Sequence, residues 1–220
     1  MPTKKPPSIR VIAGVNGAGK SSIQGATIVE AGGSYYNPDE AARGIMAAGL
    51  GLTQEQANSI AWDTGVQLLR KAIEEKLDFV FESTLGGTTI PALLNRAGAQ
   101  GIAIHIWFVG LESPEMHIAR VRQRVSRGGH FISEEDIRRR YERSRLNLIE
   151  LIPRLASLRV FDNSFEADPE KGTTPKPVLL LHTELGTIIA PSDLTNTPTW
   201  AKPIVAAAIK FSQSRGPERR

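Results

Sequence analysis

Gly14-Val15-Asn16-Gly17-Ala18-Gly19-Lys20-Ser21 is a complete G-x-x-x-x-G-K-[ST] loop. The apolar run Ile9-Arg10-Val11-Ile12-Ala13 precedes it, and residues able to start a helix follow. A strand, a Gly-rich turn and a helix start are the context in which this spacing binds phosphate. The chemistry accounts for the residue types. Glycines let the backbone curl until successive N–H groups point at one phosphate, and a helix N-terminus adds partial positive charge. Lys20 is placed to reach the β/γ-phosphates, and the Ser21 hydroxyl to ligate Mg²⁺. Gly14, Asn16, Gly17, Ala18, Gly19, Lys20, Ser21 and Ser22 are the expected nucleotide contacts. ATP and Mg²⁺ are the expected cofactors.

Outward from the loop, strands and helices alternate. A strand over about 9–13 leads through the loop to a helix reaching about Ala31. Ser34-Tyr35-Tyr36 reads as a short strand, and Pro38 opens a helix through Gly49. Thr53-Gln54-Glu55-Gln56 fits a capping box for a long helix to about Lys76, with Ile60, Val66, Leu69 and Ile73 partly at helical spacing. Asp78-Phe79-Val80-Phe81 is a buried strand broken by Gly86-Gly87. A helix over about 89–99 precedes the strand Ile102–Val109. Helices over roughly 114–127 and 134–155 lead to a strand at Arg159–Phe161. This alternation predicts an α/β sandwich of three layers with a mainly parallel sheet. Asp168–Pro177 reads as a polar loop, Val178–His182 and Gly186–Ala190 as a hairpin, and Thr199–Ser212 as a closing helix. Residues 1–213 are expected to form one domain, with 214–220 a disordered tail.

A phosphate loop alone does not separate a motor, a GTPase, a transporter subunit and a small-molecule kinase. Asp39 follows the second strand directly, where a carboxylate could accept the proton of an acceptor hydroxyl. It equally suits the first turn of the helix that Pro38 opens. Glu82 ends the strand Phe79-Val80-Phe81, and strand C-termini of open α/β sheets face the ligand crevice, so Glu82 and Thr84 are candidate substrate contacts. Arg120, Arg124 and Arg127 are spaced i, i+4, i+7 along one helix face. Gly128-Gly129 then breaks that helix and Arg138-Arg139-Arg140 opens the next. Two Arg-lined helices joined by a Gly-rich turn describe a kinase lid, which closes on the triphosphate and excludes water. Charge runs are also ordinary solvated faces, and Glu134, Glu135 and Glu142 could pair several of these arginines. Ile137, Tyr141, Leu148 and Leu155 mark a buried stripe that Arg140 borders, while Arg138 and Arg139 point away. Arg127 and Arg140 are therefore the lid's candidate catalytic arginines. His130 reads as a turn residue. Asp162-Asn163-Ser164 could border an adenine or simply form a turn.

Together these residues resemble the zeta-toxin family of P-loop kinases. The match runs through Gly14–Ser21, Asn37-Pro38-Asp39 with Arg43, Phe81-Glu82-Ser83-Thr84-Leu85, Arg127-Gly128-Gly129-His130, Arg140 and Asp162-Asn163-Ser164. It spans about 160 of the 220 residues. The resemblance implies a P-loop kinase fold with a helical lid, and use of ATP and Mg²⁺. It implies that Lys20 and Ser21 hold phosphates and metal, and that Arg127 and Arg140 clamp phosphate with Arg120, Arg124 and Asn163 around the nucleotide. Asp39 becomes the base, and Arg43, Glu82 and Thr84 substrate contacts. The best-known members phosphorylate UDP-N-acetylglucosamine, and an antitoxin is a possible partner. The scaffold also fits an acceptor such as NAD, an antibiotic or a polynucleotide 5′-end, or a nucleotide-dependent switch without an acceptor.

Bulk composition agrees. The chain has 220 residues, is 40% hydrophobic, carries a formal charge of +4 and contains no cysteine. That length can bury a sizeable core, the mild charge argues against nucleic acid, and disulfide and thiol chemistry are excluded. Met1 to Pro7 is too polar for a secretory signal, and the apolar stretch Gly101–Leu111 is too short to span a bilayer. A cytoplasmic protein with a small-molecule acceptor is the expectation.

Overall fold

A parallel sheet needs strands apolar on both faces, and the first strand meets that requirement. In a computed structural model, which describes residues 6–23, 34–165 and 176–215, β1 (Ser8–Ala13) is buried at every position. It lies between β3 (Phe79–Ser83) and β4 (Ala103–Gly110), parallel to both. β2 (Ser34–Tyr36) continues the sheet beyond β3, and β5 (Leu155–Asp162) runs parallel to β4. β6 (Val178–Glu184) and β7 (Thr187–Ala190) extend the far side as antiparallel strands. The order is β2-β3-β1-β4-β5-β6-β7. The chain leaves β1 with neighbours reached in opposite directions, so a crevice opens at the carboxyl ends of β1, β3 and β4.

Besides the helix that opens at Ser21, the described residues hold six helices: α1 (Pro38–Ala47), α2 (Gln54–Glu74), α3 (Thr89–Ala99), α4 (Pro114–Val125), α5 (Glu134–Leu151) and α6 (Lys202–Ser214). Their starts follow from local chemistry. Asn37 caps α1 by accepting from the backbone N–H of Asp39 and Glu40, with Pro38 in the first turn. The Thr53–Gln56 capping box expected for α2 forms in both directions. Ser113 and Ser133 cap α4 and α5.

Alternation along the strands puts Ile9, Val11, Phe79, Phe81, Ile104, Ile106 and Phe108 into one core with Val66 and Leu69 of α2, Leu94 of α3, Leu148 of α5 and Ile204 of α6. A smaller cluster of Val15, Ile118, Val121 and Ile137 joins the phosphate loop to α4 and α5.

Some boundaries differ from the sequence reading. α5 stops at Leu151, and the 3₁₀ turn Ile152-Pro153-Arg154 lets β5 begin at Leu155. Leu155 therefore belongs to the sheet, whereas Ile137, Tyr141 and Leu148 form the buried helical stripe as expected. Ile60 is 43% exposed and stands outside the core that Val66, Leu69 and Ile73 enter. α6 continues through Ser214, past the expected start of the tail. The helix opening at Ser21 is described only to Ile23. Its expected continuation, most of the loop expected over 168–177, and residues 216–220 lie outside the described residues.

Candidate active site

Three glycines give the phosphate loop its shape, with φ of +145° at Gly14, +84° at Gly17 and +83° at Gly19. At these glycines the loop is also wrapped too closely for a side chain. A Cβ on Gly14 would stand 2.4 Å from the carbonyl oxygen of Val109, one on Gly17 2.7 Å from that of His117, and one on Gly19 2.3 Å from Asn163 Nδ2. Those contacts identify what holds the loop. Asn163, just past β5 and 6% exposed, donates from Nδ2 to the Ala18 carbonyl at 2.8 Å. Arg120 Nη2 donates to the Asn163 carbonyl at 2.8 Å. The turn Asp162-Asn163-Ser164 thus backs the phosphate loop.

His117, 1% exposed, secures the opposite side. Its Nδ1 lies 2.9 Å from the Asn16 carbonyl, and only a protonated Nδ1 can donate there. Burial drives its pKa down to about 4, with the charges of Lys20 and Arg120 adding to that effect. That environment favours the neutral imidazole at physiological pH.

The loop opens onto a cavity of about 520 Å³. Asn16, Lys20 and Arg140 line it together with Asp39, Glu82 and Thr84. Lys20 Nζ donates to the Gly14 carbonyl at 3.1 Å and lies 3.7 Å from Glu82 Oε2. Glu82 is fixed from its other oxygen by the Tyr35 hydroxyl at 2.7 Å. Burial and this carboxylate push the Tyr35 phenol well above its ordinary pKa, which keeps it a donor. Asp39 leaves the capping of α1 to Asn37, and its Oδ2 lies 3.8 Å from Arg124 Nη1. Thr84 Oγ1 accepts from the Gly86 N–H at 3.3 Å.

From the lid side, Arg140 Nη1 donates to Asn16 Oδ1 at 2.8 Å, and its Nη2 is 3.9 Å from Asp136. Gly86 permits that approach, since a Cβ there would stand 2.7 Å from Arg140 Cγ. Arg124 Nη2 donates to the His130 carbonyl at 2.9 Å.

The structure thus brings Asn16, Lys20, Asp39, Glu82, Thr84 and Arg140 to one cavity, with Arg124 bridging behind Asp39. Arg120 and Asn163 back the phosphate loop. Ser21 and Ser22 are exposed where the loop becomes helix, and the Ser22 hydroxyl donates to the Gly19 carbonyl at 2.5 Å. Arg127 lies past the end of α4, is exposed and does not line the cavity. Arg43 is exposed on α1, its Nε 3.4 Å from the carbonyl of Asp39, and likewise stands outside the cavity. Arg139, expected to point away, lines it. The sequence reading missed Glu55, Asn58 and Trp62 on α2, and the supports Tyr35 and His117. The capping box had already placed Glu55, Asn58 and Trp62 on one helix, where i, i+3, i+7 spacing makes a face.

The residues present fit a nucleotide phosphate: a loop too tightly wrapped at its glycines for a side chain carries Lys20 at its end, and Arg140 lines the same cavity. No group of His, Cys, Asp and Glu among the described residues forms a protein-only metal cage. A magnesium ion accompanying the nucleotide would be held through phosphate oxygens and the Ser21 hydroxyl.

Fold and site define a P-loop kinase scaffold: a mostly parallel sheet, a phosphate loop after β1 and an Arg-bearing helical pair over the cavity. The sequence profile of the zeta toxin family matches residues 1–167, and the chain belongs to that family. An uncharacterized protein of Haemophilus influenzae is 31% identical over 128 residues, covering 58% of this chain and 88% of that protein. Among solved structures, AvrRxo1-ORF1:-ORF2 with ATP superposes with a TM-score of 0.63 at 14% identity. That match covers 92% of this chain, which spans 64% of the relative's length. The PezAT chromosomal toxin–antitoxin system of Streptococcus pneumoniae gives a TM-score of 0.54 at 13% identity, covering 96% of this chain and 88% of that one. At those identities the two structures bear on fold. No described helix is long and apolar enough to cross a membrane.

Proposed function

We propose that the protein is an ATP-dependent kinase that transfers the γ-phosphate to a hydroxyl of a small metabolite. One observation carries this reading: Lys20 of the phosphate loop and Asp39 line the same cavity. The acceptor hydroxyl attacks the γ-phosphorus as its proton passes to Asp39. A new O–P bond forms, the bond to the bridging β–γ oxygen breaks, and ADP leaves. Lys20 and Arg140 face the charge that spreads over the transferred group, and Glu82 and Thr84 orient the acceptor. Magnesium held through Ser21 supplies further charge neutralisation when the nucleotide is bound. Positioning and electrostatics carry such a reaction.

UDP-N-acetylglucosamine is the first acceptor to test, because the family assignment supports it. PezAT is a toxin–antitoxin system, and AvrRxo1-ORF1 was crystallised with a second chain. Both support a protein partner for this chain, and use of ATP supports a cytoplasmic setting. Incubation with labelled ATP and a metabolite panel that includes UDP-N-acetylglucosamine tests the reading. Label on an acceptor, lost in Lys20→Ala, is the expected outcome. Label released only as free phosphate with every acceptor would replace the kinase by an ATPase or switch.

A further inference from the structure

His130, just past α4, lines the cavity with Asp39, Glu55 and Asn58. Its Nε2 lies 3.2 Å from Asn58 Nδ2, a contact between residues 72 apart in sequence. An amide nitrogen only donates, so Nε2 accepts and the ring proton sits on Nδ1. The contact therefore requires a neutral imidazole. Burial holds the His130 pKa below its ordinary value, with Arg124 and Arg140 adding to the effect and Asp39 opposing it. The carbonyl of the same residue accepts from Arg124, which reaches across to Asp39.

A turn residue would not need this side chain. The turn after α4 closes through bonds that do not use the imidazole, among them Gly128 N–H to Val125 and Gly129 N–H to Arg124, each 2.9 Å. Gly128 supplies the positive φ, +83°, that the turn demands. The imidazole's bond to Asn58 is additional to all of this, and it joins the lid to α2.

We propose that His130 is a positioning residue for phosphoryl transfer: its bond to Asn58 latches the loop 126–133 to α2 and so fixes Arg124 beside Asp39. The geometry stands on its own, while the consequence for catalysis rests on the kinase reading above. Breaking the latch frees the loop that carries the His130 carbonyl, and with it the anchor of Arg124.

Hydrogen–deuterium exchange on the full chain tests this, comparing wild type with Asn58→Ala, His130→Ala and His130→Gln. Glutamine retains an acceptor oxygen for the Asn58 amide, whereas alanine does not. Exchange over residues 126–135 should rise about three- to tenfold in both alanine variants, the range one net hydrogen bond commands. His130→Gln should return it towards the wild-type rate. Unchanged exchange in Asn58→Ala, or equal acceleration in His130→Gln, overturns the latch. Titration of wild type with Mg²⁺ and a non-hydrolysable ATP analogue runs alongside. Absence of binding there sinks the kinase reading, while the exchange comparison still decides the latch.

Discussion

Asp39 carries the distinction between kinase and switch, for it stands in the first turn of α1 and also lines the cavity. The cap of α1 is Asn37, which accepts from both first-turn N–H groups, so the helix does not depend on Asp39 for its start. Asp39→Asn retains size and most hydrogen bonding but cannot take a proton. Near-normal ATP affinity with transfer reduced by roughly 10²–10⁴-fold is the expected result, the usual contribution of a positioned base. Wild-type transfer rates on the identified acceptor would remove Asp39 from the reaction. His117 yields a second prediction, of stability. Its folded pKa of about 4 lies below the ordinary histidine value, so between those limits the unfolded chain binds the extra proton. Stability is therefore full above roughly pH 6.5 and falls as pH drops towards 4, by about 3 kcal/mol in all. His117→Asn keeps a donor near the Nδ1 position and cannot titrate. Urea unfolding at several pH values should show a shallower acid slope for the variant; identical slopes would mean His117 is protonated in the fold.

At the scale of elements, the lid shows what sequence could and could not supply. Helical phase put Arg140 beside the buried stripe of Ile137 and Tyr141, and it does reach the phosphate loop. Phase failed for Arg127 because the helix ends at Val125, two residues before it. Arg124, one turn earlier, remains inside the helix and faces Asp39. Arg140→Ala should therefore slow transfer by about 10²–10³-fold with little change in nucleotide affinity, as expected for a lost transition-state donor. Arg127→Ala should stay near wild type in the same assay. A reversed order of effects would mean that the lid rearranges when nucleotide binds. The Thr53–Gln56 box and the Pro38 helix start were legible because each rests on contacts within a few residues, and the phosphate loop because its residue spacing is itself the signature. The Tyr35–Glu82, His117–Asn16 and Asn58–His130 bonds join residues 47, 101 and 72 positions apart, beyond any local pattern. The early start of β5 was hidden for a related reason. Ile152-Pro153-Arg154 extends an apolar helical pattern, and only pairing with β4 turns Leu155 into a strand residue.

For the whole molecule, the question is what the C-terminal strands and helix contribute, since the family profile ends at residue 167. The core does not end there. Leu181 of β6, then Trp200, Ala201, Ile204, Val205 and Ala208 in and before α6, are all buried in the same cluster as β1 and β4. Trp200 is the closest fit. It is 3% exposed, its ring centroid lies 6.3 Å from that of Phe108, and it fills the space beside Gly110. A Cβ on Gly110 would stand 2.2 Å from Trp200 Cη2, so the end of β4 is shaped to admit the indole. β4 also lines the phosphate loop, because Val109 abuts Gly14. The segment that completes the core thus presses on the strand beneath the site. Trp200→Ala should cost about 3–5 kcal/mol, the range for emptying a large aromatic site in a packed interior. Removing residues 177–220 strips all six of those buried side chains at once, and the remaining chain should lose cooperative unfolding. Urea titrations followed by far-ultraviolet circular dichroism would measure both. A truncated chain that unfolds cooperatively at the wild-type midpoint would make the C-terminal strands and helix an accessory, and the phosphate-loop unit a domain in its own right.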